Sequence, residues 1–198
     1  MTTPTLMVAT RNRHKTDEIR AMLGDRYLVL DANDVENLPH VEETGATFLE
    51  NAKLKAVEIS RRFEGIVLSD DSGLEVDALG GAPGVRSARY GGVEGDHARN
   101  NERLLRDLKG VPPDRRSARF RCVMVVAREG EVLAHFDGAV EGRIIDELRG
   151  RGGFGYDPLF VPEGYDLTFA ELGADVKNQL SHRARALAKA AEWLEKSC

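Results

Sequence analysis

The chain has 198 residues and a formal charge of −5 at pH 7. That length can bury one substantial core, while the charge has the wrong sign for gripping long nucleic acid through a broad basic face; a small anionic ligand remains compatible. No stretch is apolar enough to span a bilayer, the opening Met-Thr-Thr-Pro-Thr lacks a basic-then-apolar leader, and Cys122 and Cys198 give neither a disulfide framework nor a Cys/His metal spacing. A cytoplasmic chain forming a single domain over residues 1–198 is expected, with neither a membrane nor a nucleic-acid polymer as partner.

Residues 5–9 read as the first strand, and Asn12 caps a helix that runs to about Leu23 and stops at Gly24. A strand turning through Thr10-Arg11-Asn12-Arg13-His14 into a helix presents free N–H groups and a positive dipole end, and Lys15 in the first turn adds a full charge. That suits a phosphate, although a basic helix start is also an ordinary solvated surface. It is not an ATPase phosphate loop, because the GxxxxGK spacing is absent. Residues 27–30 form a second short strand. A loop containing Pro39 then leads to Glu42-Glu43-Thr44-Gly45, which sets carboxylates just before the capping box Thr47-Phe48-Leu49-Glu50. The helix it opens carries Ala52, Ala56 and Ile59 on one face; Glu50, Asn51, Lys53 and Lys55 are compatible with simple exposure.

Residues 66–69 read as a short buried strand, so Asp70 and Asp71 fall near its carboxyl end, where open α/β sheets bind ligands. Two carboxylates there suit Mg²⁺ and the activation of water. An Asp-Ser-Gly turn in which Asp71 bonds its own backbone accounts for the same residues. After a glycine-rich segment ending near Tyr90, Asp96 caps a helix bearing Leu104, Leu105 and Leu108, closed by Gly110 and two prolines. Residues 118–127 and 132–140 are β-rich, and Glu129-Gly130 between them signals an antiparallel hairpin. An α/β chain with a mixed sheet follows from this order of elements.

In the last third, Phe154-Gly155-Tyr156-Asp157-Pro158 sets two aromatics about a glycine and a carboxylate before proline. Such a segment builds a wall for a stacked base and an acceptor for its edge, or closes a core beneath a loop. A short run at residues 158–161 precedes a final helix after Ser181, with Ala184, Leu187, Ala191 and Leu194 on one side. His182 and Arg183 in its first turn, with Lys177 upstream, can donate to a base oxygen or a phosphate, or form an ordinary polar helix start.

The segments AT-R-NRHK, EETGATFLENAKLKA, SDDSGLEVDALGGAPGVRSARY, GGFGYDPLF and SHRARAL occur in this order, and together they resemble the inosine triphosphate pyrophosphatases, also described as non-canonical purine NTP pyrophosphatases or XTP/dITP diphosphatases. The resemblance spans nearly the whole chain. It implies an ITPase-like α/β fold with a long mixed β-sheet, flanking helices and two lobes around a nucleotide-binding cleft, assembled as a homodimer. The activity it implies is Mg²⁺-dependent hydrolysis of ITP, dITP and XTP between the α and β phosphates, giving the nucleoside monophosphate and pyrophosphate and clearing deaminated purines from the nucleotide pool.

Carried over residue by residue, the resemblance implies that Asp71 is the catalytic proton acceptor and a metal ligand, with Glu42 as the other metal carboxylate and Asp70 as a helper. It places Thr10, Arg11, Asn12, Arg13, His14 and Lys15 on the phosphate side, with Lys55 as a further approach to phosphate. Ser72, Phe154, Gly155, Tyr156, Asp157, Lys177, His182 and Arg183 match the remaining substrate contacts. At Arg11 the family commonly has glycine, which lets the backbone approach a triphosphate. Arg11 there adds a phosphate contact or points outward. Two other functions fit the same nucleotide chemistry: a pyrophosphatase for modified or pyrimidine nucleotides, as in the Maf family, and a nucleotide-binding regulator without turnover.

Overall fold

The computed structural model describes residues 3–197; Met1, Thr2 and Cys198 lie outside the described residues. In chain order the elements are β1 (Thr5–Val8), α1 (Arg13–Leu23), β2 (Leu28–Asp31), α2 (Phe48–Ser60), β3 (Ile66–Val76), α3 (His97–Asp107), β4 (Ser117–Arg128), β5 (Glu131–Ile144), β6 (Phe160–Pro162), α4 (Phe169–Leu172), α5 (Ala174–Leu180) and α6 (His182–Ser197). The strands form one six-stranded sheet in the order β2-β1-β3-β4-β5-β6. β1 lies parallel to both β2 and β3, as strands joined through helices must, and β5 pairs antiparallel with β6. The turn between β4 and β5 is the expected Glu129-Gly130, with φ of 54° and 82°, the left-handed pair that suits the twist of a two-residue hairpin. The sheet is therefore mixed.

Helix starts follow local sequence. Asn12 accepts from the backbone of His14 and Lys15, Thr47 and Glu50 exchange both bonds of a capping box, and Asp96 accepts from Arg99 N. The expected end of β3 at Ser69 is corrected: the strand runs on through Asp70, Asp71, Ser72 and Gly73 to Val76, so both carboxylates stand in mid-strand and the Asp-Ser-Gly turn does not form. Polar side chains are tolerated there because distant residues meet them. Ser69 Oγ, for instance, donates to Ala52 O at 2.7 Å. β5 also outruns its expected end at residue 140, continuing through Gly142 to pair with β6. A Cβ at Gly142 would stand 2.4 Å from Val161 O, so this glycine permits close strand approach.

The chain divides into two compact units. The first comprises Met1–Asp71, Cys122–Gly138 and Ala184–Cys198. Alternation along β1 sends Leu6 and Val8 into a cluster with Ile19 and Leu23 of α1 and with Ala186, Leu187, Ala190 and Leu194 of α6. Met7 and Ala9 enter another cluster with Ile59 of α2 and Val67. Parallel strands here are thus covered on both faces. The second unit comprises Ser72–Arg121 and Ala139–Arg183, with a core of Leu74, Val76, Leu104, Leu108, Phe120, Ile144, Phe160 and Phe169. No helix among the described residues is long and apolar enough to cross a membrane.

Candidate active site

In the first unit, β1 delivers the chain to Thr10, whose Oγ1 accepts from Asn12 N at 3.1 Å, and the Asn12 cap starts α1 with Lys15 in its first turn. Lys15 Nζ forms an ion pair with Asp70 Oδ1. Asp70 is completely buried, and its Oδ2 accepts from the thiol of Cys122 at 3.0 Å. Successive side chains of a strand leave on opposite faces, so Asp71 turns away from that pair. It meets Lys55 of α2, whose Nζ stands 3.8 Å from Asp71 Oδ1, 2.5 Å from Glu43 Oε1 and 2.7 Å from Asp70 O. Burial pushes the Asp71 carboxyl above its ordinary pKa; Lys55 and Lys15 pull it down, and the neighbouring Glu43 and Asp70 add to the upward shift. The result is a buried carboxylate flanked by two lysines and two further carboxylates.

The structure separates the two adjacent glutamates. Glu42, expected at the metal from the resemblance, is exposed, whereas Glu43 is half-buried and bonded to Lys55. Spacing alone could not distinguish them. Arg11 is exposed and commits its guanidinium to the backbone: Nη1 donates to Ala32 O and Nη2 to Leu38 O, each at 2.9 Å. Asn33 Nδ2 donates back to Arg11 O at 3.2 Å. Arg11 is not among the positive-φ residues, so a side chain is accommodated there without backbone strain. Arg13 and His14 are exposed on the first turn of α1.

In the second unit, Asp157 Oδ2 accepts from Lys177 Nζ at 2.6 Å and from Phe154 N at 2.9 Å. Gly153 admits that carboxylate: its φ is +69°, and a Cβ there would lie 2.0 Å from Asp157 Oδ2. The Lys177 ammonium stands 4.5 Å from the centroid of the Phe154 ring, with the Arg183 guanidinium carbon at 5.9 Å. Arg183 Nη2 donates to Ser72 Oγ at 2.9 Å. His182 stacks on Phe120, centroids 4.9 Å apart. Tyr156 does not join Phe154 in an aromatic wall; it packs in the core and donates its hydroxyl to Ser87 O at 2.8 Å. Burial holds that phenol well above its ordinary pKa. Asn101, which no sequence motif marks, steadies Gly155 by donating from Nδ2 to its carbonyl at 2.9 Å.

Among the described residues, no group of three or more His, Cys, Asp or Glu could hold a metal ion. Asp71 and Glu43 nevertheless provide the hard oxygen donors that Mg²⁺ takes, and Mg²⁺ ordinarily uses only one or two protein carboxylates alongside substrate phosphates. The donor set fits an ion that arrives with a polyphosphate. The first unit thus gathers cationic and carboxylate groups suited to a phosphate chain, and the second gathers donors around a ring face suited to a heterocycle.

The sequence pattern of the Ham1 family matches residues 6–193. The chain is 47% identical over 193 residues to the dITP/XTP pyrophosphatase of Bacillus licheniformis, covering 97% of this chain and 98% of that protein. To the dITP/XTP pyrophosphatase of Listeria monocytogenes it is 48% identical over 183 residues, covering 92% of this chain and 90% of that one. Among solved structures, the Staphylococcus aureus Ham1 protein superposes with a TM-score of 0.86 at 37% identity, over 98% of this chain and 100% of its own. A nucleoside-triphosphatase, also described as a dITP/XTP pyrophosphatase, from Mycobacterium abscessus superposes with a TM-score of 0.75 at 41% identity, over 94% of this chain and 98% of that chain.

Proposed function

The chain belongs to the Ham1 family, and from that membership we propose that it hydrolyses the non-canonical purine nucleoside triphosphates ITP, dITP and XTP to the monophosphate and pyrophosphate. The observation that carries this reading is the placing of buried Asp71 beside Lys55 and Glu43, with Lys15 held on the adjacent Asp70. Lys15 and Lys55 then exchange carboxylate partners for phosphate oxygens when a triphosphate binds. Mg²⁺, held by Asp71 and by Glu42 or Glu43, would neutralise phosphate charge. Asp71 takes the proton of a water that attacks the α phosphorus; the α–β bridging bond breaks and pyrophosphate leaves with its electron pair. No covalent intermediate with the protein is required.

The base is assigned to residues between Phe154 and Arg183. Phe154 offers its ring face, and Lys177, His182 and Arg183 supply donors. Hypoxanthine and xanthine carry a 6-oxo group that accepts from such donors. The 6-amino group of adenine leaves them unpaired, which costs more than losing an apolar contact. Guanine shares the 6-oxo group and is turned away at its 2-amino group. The cytoplasm as the place of action and a homodimer as the assembly complete the proposal.

Pyrophosphate release from ITP, XTP, GTP, ATP and a pyrimidine triphosphate, each with Mg²⁺ and with chelator, tests the function. Mg²⁺-dependent release strongly favouring ITP and XTP is expected. Preference for the pyrimidine nucleotide, or equal rates on all five, overturns the substrate assignment; nucleotide binding with no turnover overturns the enzyme.

A further inference from the structure

Asn51 is fully buried on α2, one turn before Lys55 and therefore on the same side of the helix. Its Oδ1 accepts from Gly45 N at 2.7 Å. That bond fixes which way the amide points: a backbone N–H can only donate, so the atom facing it is the oxygen and the NH₂ lies on the other branch. Gly45 allows the approach, since a Cβ there would stand 2.6 Å from Glu50 Cβ and 2.7 Å from Asn51 Oδ1. The loop carrying Glu43 is thereby drawn tightly onto α2 beside the Lys55 ammonium. Within this arrangement, the buried Asn51 Nδ2 has no hydrogen-bond partner.

An unmade buried donor costs more than a made hydrogen bond ordinarily contributes, so holding the Gly45 loop does not by itself justify an amide at this position. A carboxylate or hydroxyl oxygen could accept from Gly45 N without leaving an NH₂ behind. What the amide adds is a neutral donor on the side of α2 that also carries Lys55. We propose that Asn51 Nδ2 is a substrate-binding donor that bonds a phosphate oxygen of the bound triphosphate alongside Lys55. The identity of the anion rests on the pyrophosphatase function proposed above; the open donor does not.

The test uses the intact protein with ¹⁵N-labelled asparagine, following the side-chain NH₂ signals as inorganic pyrophosphate and Mg²⁺ are added. The Asn51 pair is assigned by its disappearance in Asn51→Asp, which retains an acceptor for Gly45 N, or in Asn51→Ala should the first variant fail to fold. On saturation the Asn51 NH₂ signals are expected to move and their exchange with water to slow at least tenfold. In Asn51→Asp, KM for ITP should rise at least tenfold. Pyrophosphate binding that saturates while the Asn51 signals stay unmoved removes this proposal alone. No pyrophosphate binding to the wild-type protein removes it together with the phosphate site on which the function rests.

Discussion

Asp71 and Arg11, both expected from sequence at the substrate, are engaged differently in the fold. The proton acceptor proposed for the reaction is Asp71, so Asp71→Asn should lower pyrophosphate release from ITP by about 10²-fold or more, consistent with loss of a general base. Its melting temperature should remain close to that of the parent because the side-chain volume is kept. Near-normal turnover would remove Asp71 from the chemistry. Arg11 bonds two backbone carbonyls instead of reaching the carboxylates. Arg11→Gly should therefore cost about 1–3 kcal/mol in urea unfolding while leaving turnover at saturating ITP within about threefold; a large loss of turnover without loss of stability would assign Arg11 to the substrate. A third residue gives a pH signature. Hydrogen bonds from Arg119, then Ser117, hold the Asp77 carboxyl below its ordinary pKa. A lowered folded pKa contributes stability above the unfolded value of about 4 and loses it as pH falls through the folded value. Because Asp77 is half-exposed, the effect is small. Urea midpoints of Asp77→Asn and the parent should differ at pH 7 and converge on acidification; a constant gap would deny the ionic contribution.

At the scale of elements, legibility followed the range of the interactions. Asn12, Thr47 with Glu50, and Asp96 announce helix starts because each cap is completed within three residues. The passage of β3 through Asp70 and Asp71 is illegible locally because Lys15 lies 55 residues before Asp70 and Cys122 lies 52 after it. The carboxylates and lysines of the candidate site could be named from sequence, whereas their pairing, the half-buried position of Glu43 and the packing of Tyr156 required the fold. The supporting amides Asn51 and Asn101 are likewise visible only through contacts with Gly45 and Gly155. Gly142 carries the same lesson in β5. A methyl there would collide with Val161 O and the Phe160 ring, so Gly142→Ala should destabilise by about 1–3 kcal/mol, the usual cost of overpacking. An unchanged thermal transition would mean that the β5–β6 pair yields freely.

For the whole molecule, neither compact unit is one uninterrupted run of chain. The first unit packs α6 residues Ala186, Leu187, Ala190 and Leu194 against Leu6, Val8 and Ile19. Burial of each large aliphatic side chain contributes about 1.5–3 kcal/mol, so removing this face takes away much of the margin by which a typical domain is stable. A chain stopped after Arg183 should consequently lack a cooperative unfolding transition for the first unit, as followed by fluorescence of a Trp introduced in place of Phe136. A normal transition would show that α6 is dispensable. This dependence also sets a timetable on the ribosome. Both runs of the second unit are made before Ala184, while the first unit waits for the last element to leave the exit tunnel. The nascent chain thus carries all its candidate phosphate-binding and catalytic side chains before the α6 residues that complete the core around Leu6, Val8 and Ile19 have been made.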